Sequence, residues 1–222
     1  VEAVESRKRK GYMKNNSLKK DPLNAIITGV GGQGNVLMAQ LFGRALTDKG
    51  FAVTVGDTYG AAQRGGPVSS HLRISKQTLY SPLTPSGQVD IVISLEPVEA
   101  LRVLGTWGNP SVVVISNTRP SYPFDVTSGG ADYPKLDEII HAAQKLSSRT
   151  LFIDASEIAL QMGAPVLTNT IMSGVAIGLE LFPLSENDFI AVLKKQFDGK
   201  KFELNLAAFK KGLDIASDSK TS

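Results

Sequence analysis

"NAIITGVGGQGNVLMAQLFGRALTDKG", residues 24–50, decides the fold. Its first six residues, 24–29, are an apolar, β-branched run that reads as a strand. Four glycines within six positions (Gly29, Gly31, Gly32 and Gly34) then break the extended chain. From Asn35 the period changes. Leu37, Leu41 and Ala45 recur at helical spacing with Val36, Phe42 and Leu46 beside them, an apolar surface broad enough to lie against a sheet. Lys49 and Gly50 close the helix with a cation and a C′ glycine, and "FAVTVGD", 51–57, reads as the next strand. Strand, glycine turn, helix and strand make one βαβ unit.

The rhythm continues outward. "DIVISL" (90–95), "SVVVIS" (111–116) and "TLFIDA" (150–155) are apolar on both faces, as central parallel strands are. "EPVEALRVL" and "KLDEIIHAAQKL" supply helices between them. "VSSHLRIS" (68–75) and "QTLYS" (77–81) alternate, and are expected to form an antiparallel edge pair joined near Ser75. The C-terminal third turns helical. "TNTIMSGVAIGLEL" carries the small residues Ser173, Gly174, Ala176 and Gly178, Ser185 and Asp188 form a capping box with Leu184 and Phe189 as staple, and Phe202, Leu206, Phe209 and Leu213 mark a closing amphipathic helix. The expected fold is α/β: a single Rossmann-like domain, mostly parallel, with an antiparallel edge pair and a helical C-terminal third. The expected boundaries are a basic flexible tail over 1–22, the domain over 23–216, and a flexible tail over 217–222.

Composition narrows the chemistry. The 222 residues contain no cysteine, which excludes disulfides, thiol nucleophiles and cysteine-ligated iron–sulfur clusters on this chain. No run approaches the ~20 apolar residues of a membrane span, and a cytoplasmic location is expected. The pI near 9.0 is a local effect. Residues 1–22 hold seven basic and three acidic side chains, leaving 17 basic against 18 acidic in the remainder. A basic tail of this kind reads as solvated or partner-contacting rather than as a nucleic-acid site.

"GVGGQG" places Gly29, Gly31 and Gly34 in the spacing of a dinucleotide fingerprint, after a strand and opening a helix. The exposed N–H groups and helix dipole of such a turn favour an anion. Gly29, Gly31, Gly32, Gln33 and Gly34 are therefore candidate cofactor-binding residues, although a turn that merely needs positive φ would look the same. Asp57, at the end of the second strand, stands where a ribose-binding acid would be expected, so a free-standing NAD(P)-binding protein is the alternative reading. Against it, Asp57 runs into "TYGAAQRGGP", where Arg64, Gly65 and Gly66 put a guanidinium beside backbone free of Cβ, suited to a phosphate or carboxylate or to a partner subunit. His71 and His141 lack metal-ligand or nucleophile spacing, and there is no Walker A lysine and no G-x-S-x-G elbow. Catalytic and metal residues are absent from this reading.

"GVGGQGN" (29–35) and "DTYGAAQRGGPVSSHLRIS" (57–75), with "SLEPVEALR" and "VVVISNTRPSYP", together resemble the gamma-type subunit or domain of the 2-oxoacid:ferredoxin oxidoreductases, over about residues 24–214. "AQRGG" followed by "SHLRI" is most similar to the beta subunit of the indolepyruvate type. The resemblance implies a subunit inactive alone, working beside a larger chain that carries thiamine diphosphate and 4Fe-4S clusters. That hetero-oligomer would decarboxylate a 2-oxoacid oxidatively with coenzyme A, giving acyl-CoA, carbon dioxide and reduced ferredoxin. No cofactor is expected on this chain alone, and coenzyme A is expected at the subunit interface near the two glycine loops. Pro67 directly after the double glycine and the basic N-terminal extension depart from the family pattern.

Overall fold

The computed structural model describes residues 18–60, 66–122, 126 and 132–221. Six strands form one sheet: β1 (Leu23–Val30), β2 (Ala52–Tyr59), β3 (Pro67–Ser75), β4 (Ile91–Ser94), β5 (Val113–Asn117) and β6 (Arg149–Ile153). Among the described residues there are seven α-helices: α1 (Asn35–Asp48), α2 (Pro97–Trp107), α3 (Leu136–Leu146), α4 (Ala155–Gln161), α5 (Thr168–Gly178), α6 (Glu186–Gln196) and α7 (Gly199–Thr221).

The strand order is β2-β3-β1-β4-β5-β6. β1, β4, β5 and β6 are parallel neighbours, and β3 runs antiparallel to both β1 and β2. The expected α/β architecture, with its antiparallel pair at the edge, is thus present, but the pair is β2 with β3. Residues 77–81 are not a strand. Their alternation is instead that of a crossing loop. Arg73, buried on β3, donates from Nη1 to the carbonyl of Ser81 at 3.1 Å and packs under the Tyr80 ring at 4.8 Å. Pro82 lies over Gly56 of β2 so closely that a Cβ there would come within 2.5 Å.

Two apolar cores sandwich the sheet. On one face Ile27, Leu72, Ile74, Ile93 and Ile115 meet α1 and the C-terminal helices. Phe42 of α1 stands 4.5 Å from Phe182 and 4.9 Å from Phe189, which stacks on Phe209 of α7 at 5.1 Å. Each fully buried ring of this kind contributes roughly 1.5–3 kcal/mol. On the other face Ile26, Val92 and Val114 meet Ala100, Val103 and Leu104 of α2 and Ala143 of α3. Because α1 covers one face and α2 the other, the chain changes direction between β1 and β4, the topological switch point at which α/β sheets bind ligands.

The capping box of α6 forms, with Ser185 Oγ accepting from Asp188 N and Asp188 accepting from Ser185 N. α4 was not foreseen from the sequence, although Asp154 followed by Glu157 is a cap signal and Asp154 does accept from Glu157 N at 3.0 Å. α7 continues to Thr221, through residues read from the sequence as a tail. Among the described residues, no helix is long and apolar enough to cross a membrane.

Candidate functional site

The glycine turn sits at the carboxyl end of β1, where the sequence puts it, but its four glycines do different things. Gly29 is still inside β1, paired with Val68, and a Cβ there would stand 2.6 Å from Gln33 Oε1. Gly31 and Gly32 are exposed, Gly32 at φ 99°. Gly34, at φ 85°, is the N-cap of α1, and no side chain caps the helix. Nor does an acidic residue occupy its first turn. The N–H groups of this first turn have no intrahelical acceptor, so exposed backbone and the positive end of a 14-residue helix meet at one place.

The surroundings hold this turn in shape. Gly31 N donates to Gly66 O at 3.0 Å, which fastens the first glycine loop to the end of the second. Asn35 Nδ2 donates to Val68 O at 2.8 Å, and Asn169 of α5 donates to Gly34 O at 3.3 Å. Gln33, expected from its position to contact a ligand, turns inward. Its Oε1 accepts from Val30 N at 2.8 Å and its Nε2 donates to Leu95 O at 3.3 Å. The carboxamide therefore spans the crevice between the ends of β1 and β4, where a dinucleotide would cross the sheet. Arg64 and Gly65 lie outside the described residues; Gly66 is buried.

Asp57 does not stand where a ribose-binding acid needs to be. In a Rossmann domain the second strand neighbours the first, but here β3 lies between them. Asp57 faces Ser70 of β3, whose Oγ donates to it at 2.5 Å.

A second polar group occupies the same carboxyl end of the sheet, just past β4. Glu96, 1% exposed, caps α2 by accepting from Glu99 N at 2.9 Å, and its other oxygen accepts from Tyr133 Oη and from Ser121 N. Burial pushes the neighbouring Glu99 carboxyl up to about 7; Arg102, 3.1 Å away, opposes the shift and Glu96 adds to it. Burial and the Glu96 acceptor also raise the Tyr133 phenol. Glu96 and Glu99 belong to "SLEPVEALR" (94–102) and Ser121 to "NTRPSYP" (117–123), segments that carry the family resemblance, whereas Tyr133 lies beyond both. A Glu-Pro pair directly after an apolar strand, with Glu three residues on, was the available signal for a buried cap.

Of the two histidines, His141 is exposed on α3. His71 is fully buried on β3, with Nδ1 accepting from Thr84 N at 3.3 Å and the ring edge-on to Trp107 at 5.0 Å. Burial lowers its pKa, with Asp57 opposing. Among the described residues, no three His, Asp or Glu side chains gather as metal ligands.

The pyruvate ferredoxin/flavodoxin oxidoreductase family matches residues 24–215, nearly the whole of the described fold. The chain belongs to this family. Its sequence is 38% identical over 200 residues to the indolepyruvate oxidoreductase subunit IorB of Archaeoglobus fulgidus, covering 90% of this chain and 98% of that subunit. In fold it is similar to the gamma subunit of a keto/oxoacid ferredoxin oxidoreductase from Geobacter sulfurreducens, with a TM-score of 0.64 at 18% identity, covering 88% of this chain and 99% of that one. It is also similar to one part of a 2-oxoglutarate:ferredoxin oxidoreductase from Magnetococcus marinus, solved with 2-oxoglutarate, coenzyme A and succinyl-CoA bound. There the TM-score is 0.68 at 22% identity, over 90% of this chain and 32% of that one. This fold, then, occurs both as a separate subunit and as a segment of a longer chain. The resemblance read from the two glycine loops holds over its expected span, and the free-standing NAD(P) alternative gains no support.

Proposed function

We propose that this chain is the small subunit of an indolepyruvate-type 2-oxoacid:ferredoxin oxidoreductase and that it presents coenzyme A to a catalytic centre on a larger partner. The observation that carries the reading is the end-to-end match to an indolepyruvate oxidoreductase subunit by a chain without a single cysteine. Electron transfer through iron–sulfur clusters needs thiolate ligands, so that task falls to another chain. Thiamine diphosphate, when bound to the partner, supplies the carbanion stabilisation that makes loss of carbon dioxide possible.

The overall reaction balances as follows. The C1–C2 bond of the 2-oxoacid breaks and carbon dioxide leaves. The C2–S bond to coenzyme A forms with loss of the thiol proton, and two electrons pass to two ferredoxins. This chain's residues contribute binding and orientation. The uncapped start of α1 and the exposed backbone at Gly32 suit the pyrophosphate of coenzyme A, while Gly31 N–H is already given to Gly66 O. Arg64, Gly65 and Gly66 are proposed to complete that grip from the second loop, which the Gly31–Gly66 hydrogen bond supports. Glu96 holds Tyr133 and Ser121 at the same carboxyl end of the sheet.

Co-expression with the larger subunit tests the proposal. The complex is expected to reduce ferredoxin with indolepyruvate in a coenzyme A-dependent manner, and the purified chain alone to show no turnover. Turnover by the isolated chain, or a complex indifferent to coenzyme A, would overturn it.

A further inference from the structure

The ends of the four parallel strands are tied together by one chain of side-chain hydrogen bonds that starts at the glycine turn. Its junction is the peptide of Leu95, just past β4, whose N–H continues the sheet ladder to Thr28 O at 2.9 Å. The Leu95 carbonyl accepts twice, from Gln33 Nε2 at 3.3 Å and from Asn117 Nδ2 at 3.2 Å. Asn117, at the end of β5 and 1% exposed, also donates to Ser156 Oγ at 3.0 Å and accepts from Ser156 N at 3.1 Å. Ser156 lies in the first turn of α4, directly after β6. β1, β4, β5 and β6 are thereby joined through two carboxamides. Each is locked in one orientation, because only that orientation presents its oxygen to an N–H and its nitrogen to a carbonyl.

We infer that Gln33 and Asn117 are positioning residues for the glycine turn: together they fix where Gly31 and Gly32 stand relative to β4, and with it the affinity for coenzyme A. The physical argument is preorganisation. A glycine-rich segment has the largest backbone freedom of any chain, and freezing it only when ligand arrives would cost affinity. Gln33 prevents this from inside the turn by holding Val30 N–H and bridging to Leu95. The hydrogen bonds of the Asn117 side chain go to Leu95 and Ser156, outside the turn. It acts by fixing the carbonyl that Gln33 needs, and its own geometry is set by Ser156. The same bridge occupies the switch-point crevice, so a ligand at the turn is directed toward the Gly66 side rather than across the sheet.

The inference rests on the coenzyme A reading for its kinetic consequence, and two measurements separate the two. In the assembled complex, Gln33→Met and Asn117→Asp are each expected to raise KM for coenzyme A about ten- to a hundredfold, the scale set by small misplacements of binding groups. Both kcat and KM for the 2-oxoacid should stay within about twofold, and Gln40→Met, exposed on α1, should change nothing. In the full chain alone, amide exchange at Gly31 and Gln33 should quicken in Asn117→Asp, although neither amide contacts that side chain. Unchanged exchange there, or an unchanged KM for coenzyme A in Gln33→Met, overturns the positioning role, as does a uniform loss of all kinetic constants. A wild-type complex with no coenzyme A dependence overturns the proposed function instead, and the exchange result then decides the positioning role by itself.

Discussion

Ser70 donates to Asp57 across the β2–β3 pair at 2.5 Å, and the two residues are directly opposed in the ladder. The acid that a dinucleotide reading assigns to a ribose is thus bound within the protein, one strand removed from β1. Asp57→Asn keeps an acceptor for Ser70 and is expected to leave coenzyme A-dependent turnover within about twofold. Titration with NADH, followed by its fluorescence, should show no binding by either protein. Tight NADH binding abolished by the substitution would restore the nucleotide-enzyme alternative.

Helices α5 and α7 touch backbone to backbone. A Cβ on Gly174 would come within 2.1 Å of Phe209 O, and one on Gly212 within 2.1 Å of Ile171 O. Neither obstacle is a side chain that can rotate away. Gly174→Ala is expected to destabilise by about 3 kcal/mol, at the upper end for overpacking. That corresponds to a fall in Tm of roughly 6–12 °C for a domain of this size, measurable by thermal denaturation. A fall below about 2 °C would mean the helices separate more freely than their packing implies.

Glu99 gives the stability a pH dependence of unusual sign. Burial pushes its folded-state carboxyl up from the ordinary 4.5 to about 7. The folded form therefore holds the proton more tightly than the unfolded chain. This contribution is complete below pH 4.5 and is lost as pH rises toward 7. Glu99→Gln, always neutral, should be more stable than the wild type at pH 8 by about 1–2 kcal/mol, allowing for screening by the exposed Arg102. The two proteins should converge near pH 4. Urea denaturation at the two pH values measures this, and equal stabilities at pH 8 would contradict it.

His71 works in the other direction. Its folded pKa lies below 6.5 because the ring is buried, so the unfolded chain takes up the proton first. Stability is full above pH 6.5 and falls as pH drops below it. His71→Phe should abolish that decline. At pH 8 it should cost about 1–3 kcal/mol, since Thr84 N–H then loses its acceptor in a buried place. The opposing slopes of His71 and Glu99 partly cancel in the wild type, and each single variant should expose the other. A His71→Phe protein with an unchanged acid limb would refute the assignment.

How far these features could be read beforehand depended on their range along the chain. The glycine turn was legible because its signals are local: an apolar run, closely spaced glycines and a change of period at Asn35. So were the α6 capping box and the closing helix. The place of β3 was not. Alternation in "VSSHLRIS" specifies a strand but not its neighbours, and insertion between β1 and β2 depends on pairings such as Ile26 with His71 and Gly56 with His71. Residues 77–81 alternate too, yet Arg73 takes the Ser81 carbonyl and Pro82 cannot donate to a ladder. Gln33 is legible by position but its direction is not, because one of its two partners, the Leu95 carbonyl, is settled by the placement of β4. Asn117 and Ser156, 39 residues apart, carry no local signature at all.

The insertion of β3 also governs how the domain can assemble. After β1 and α1 are made, β2 has nothing to pair with, because its place is separated from β1 by an empty strand position roughly 10 Å wide. Only when residues 67–75 emerge can they fill that gap and complete both ladders together, through eight paired positions on each side. β1, α1, β2 and β3 should therefore gain and lose order as one cooperative unit, and a nascent chain stopped before β3 would leave two strands with unpaired edges, the exposed state from which aggregation starts.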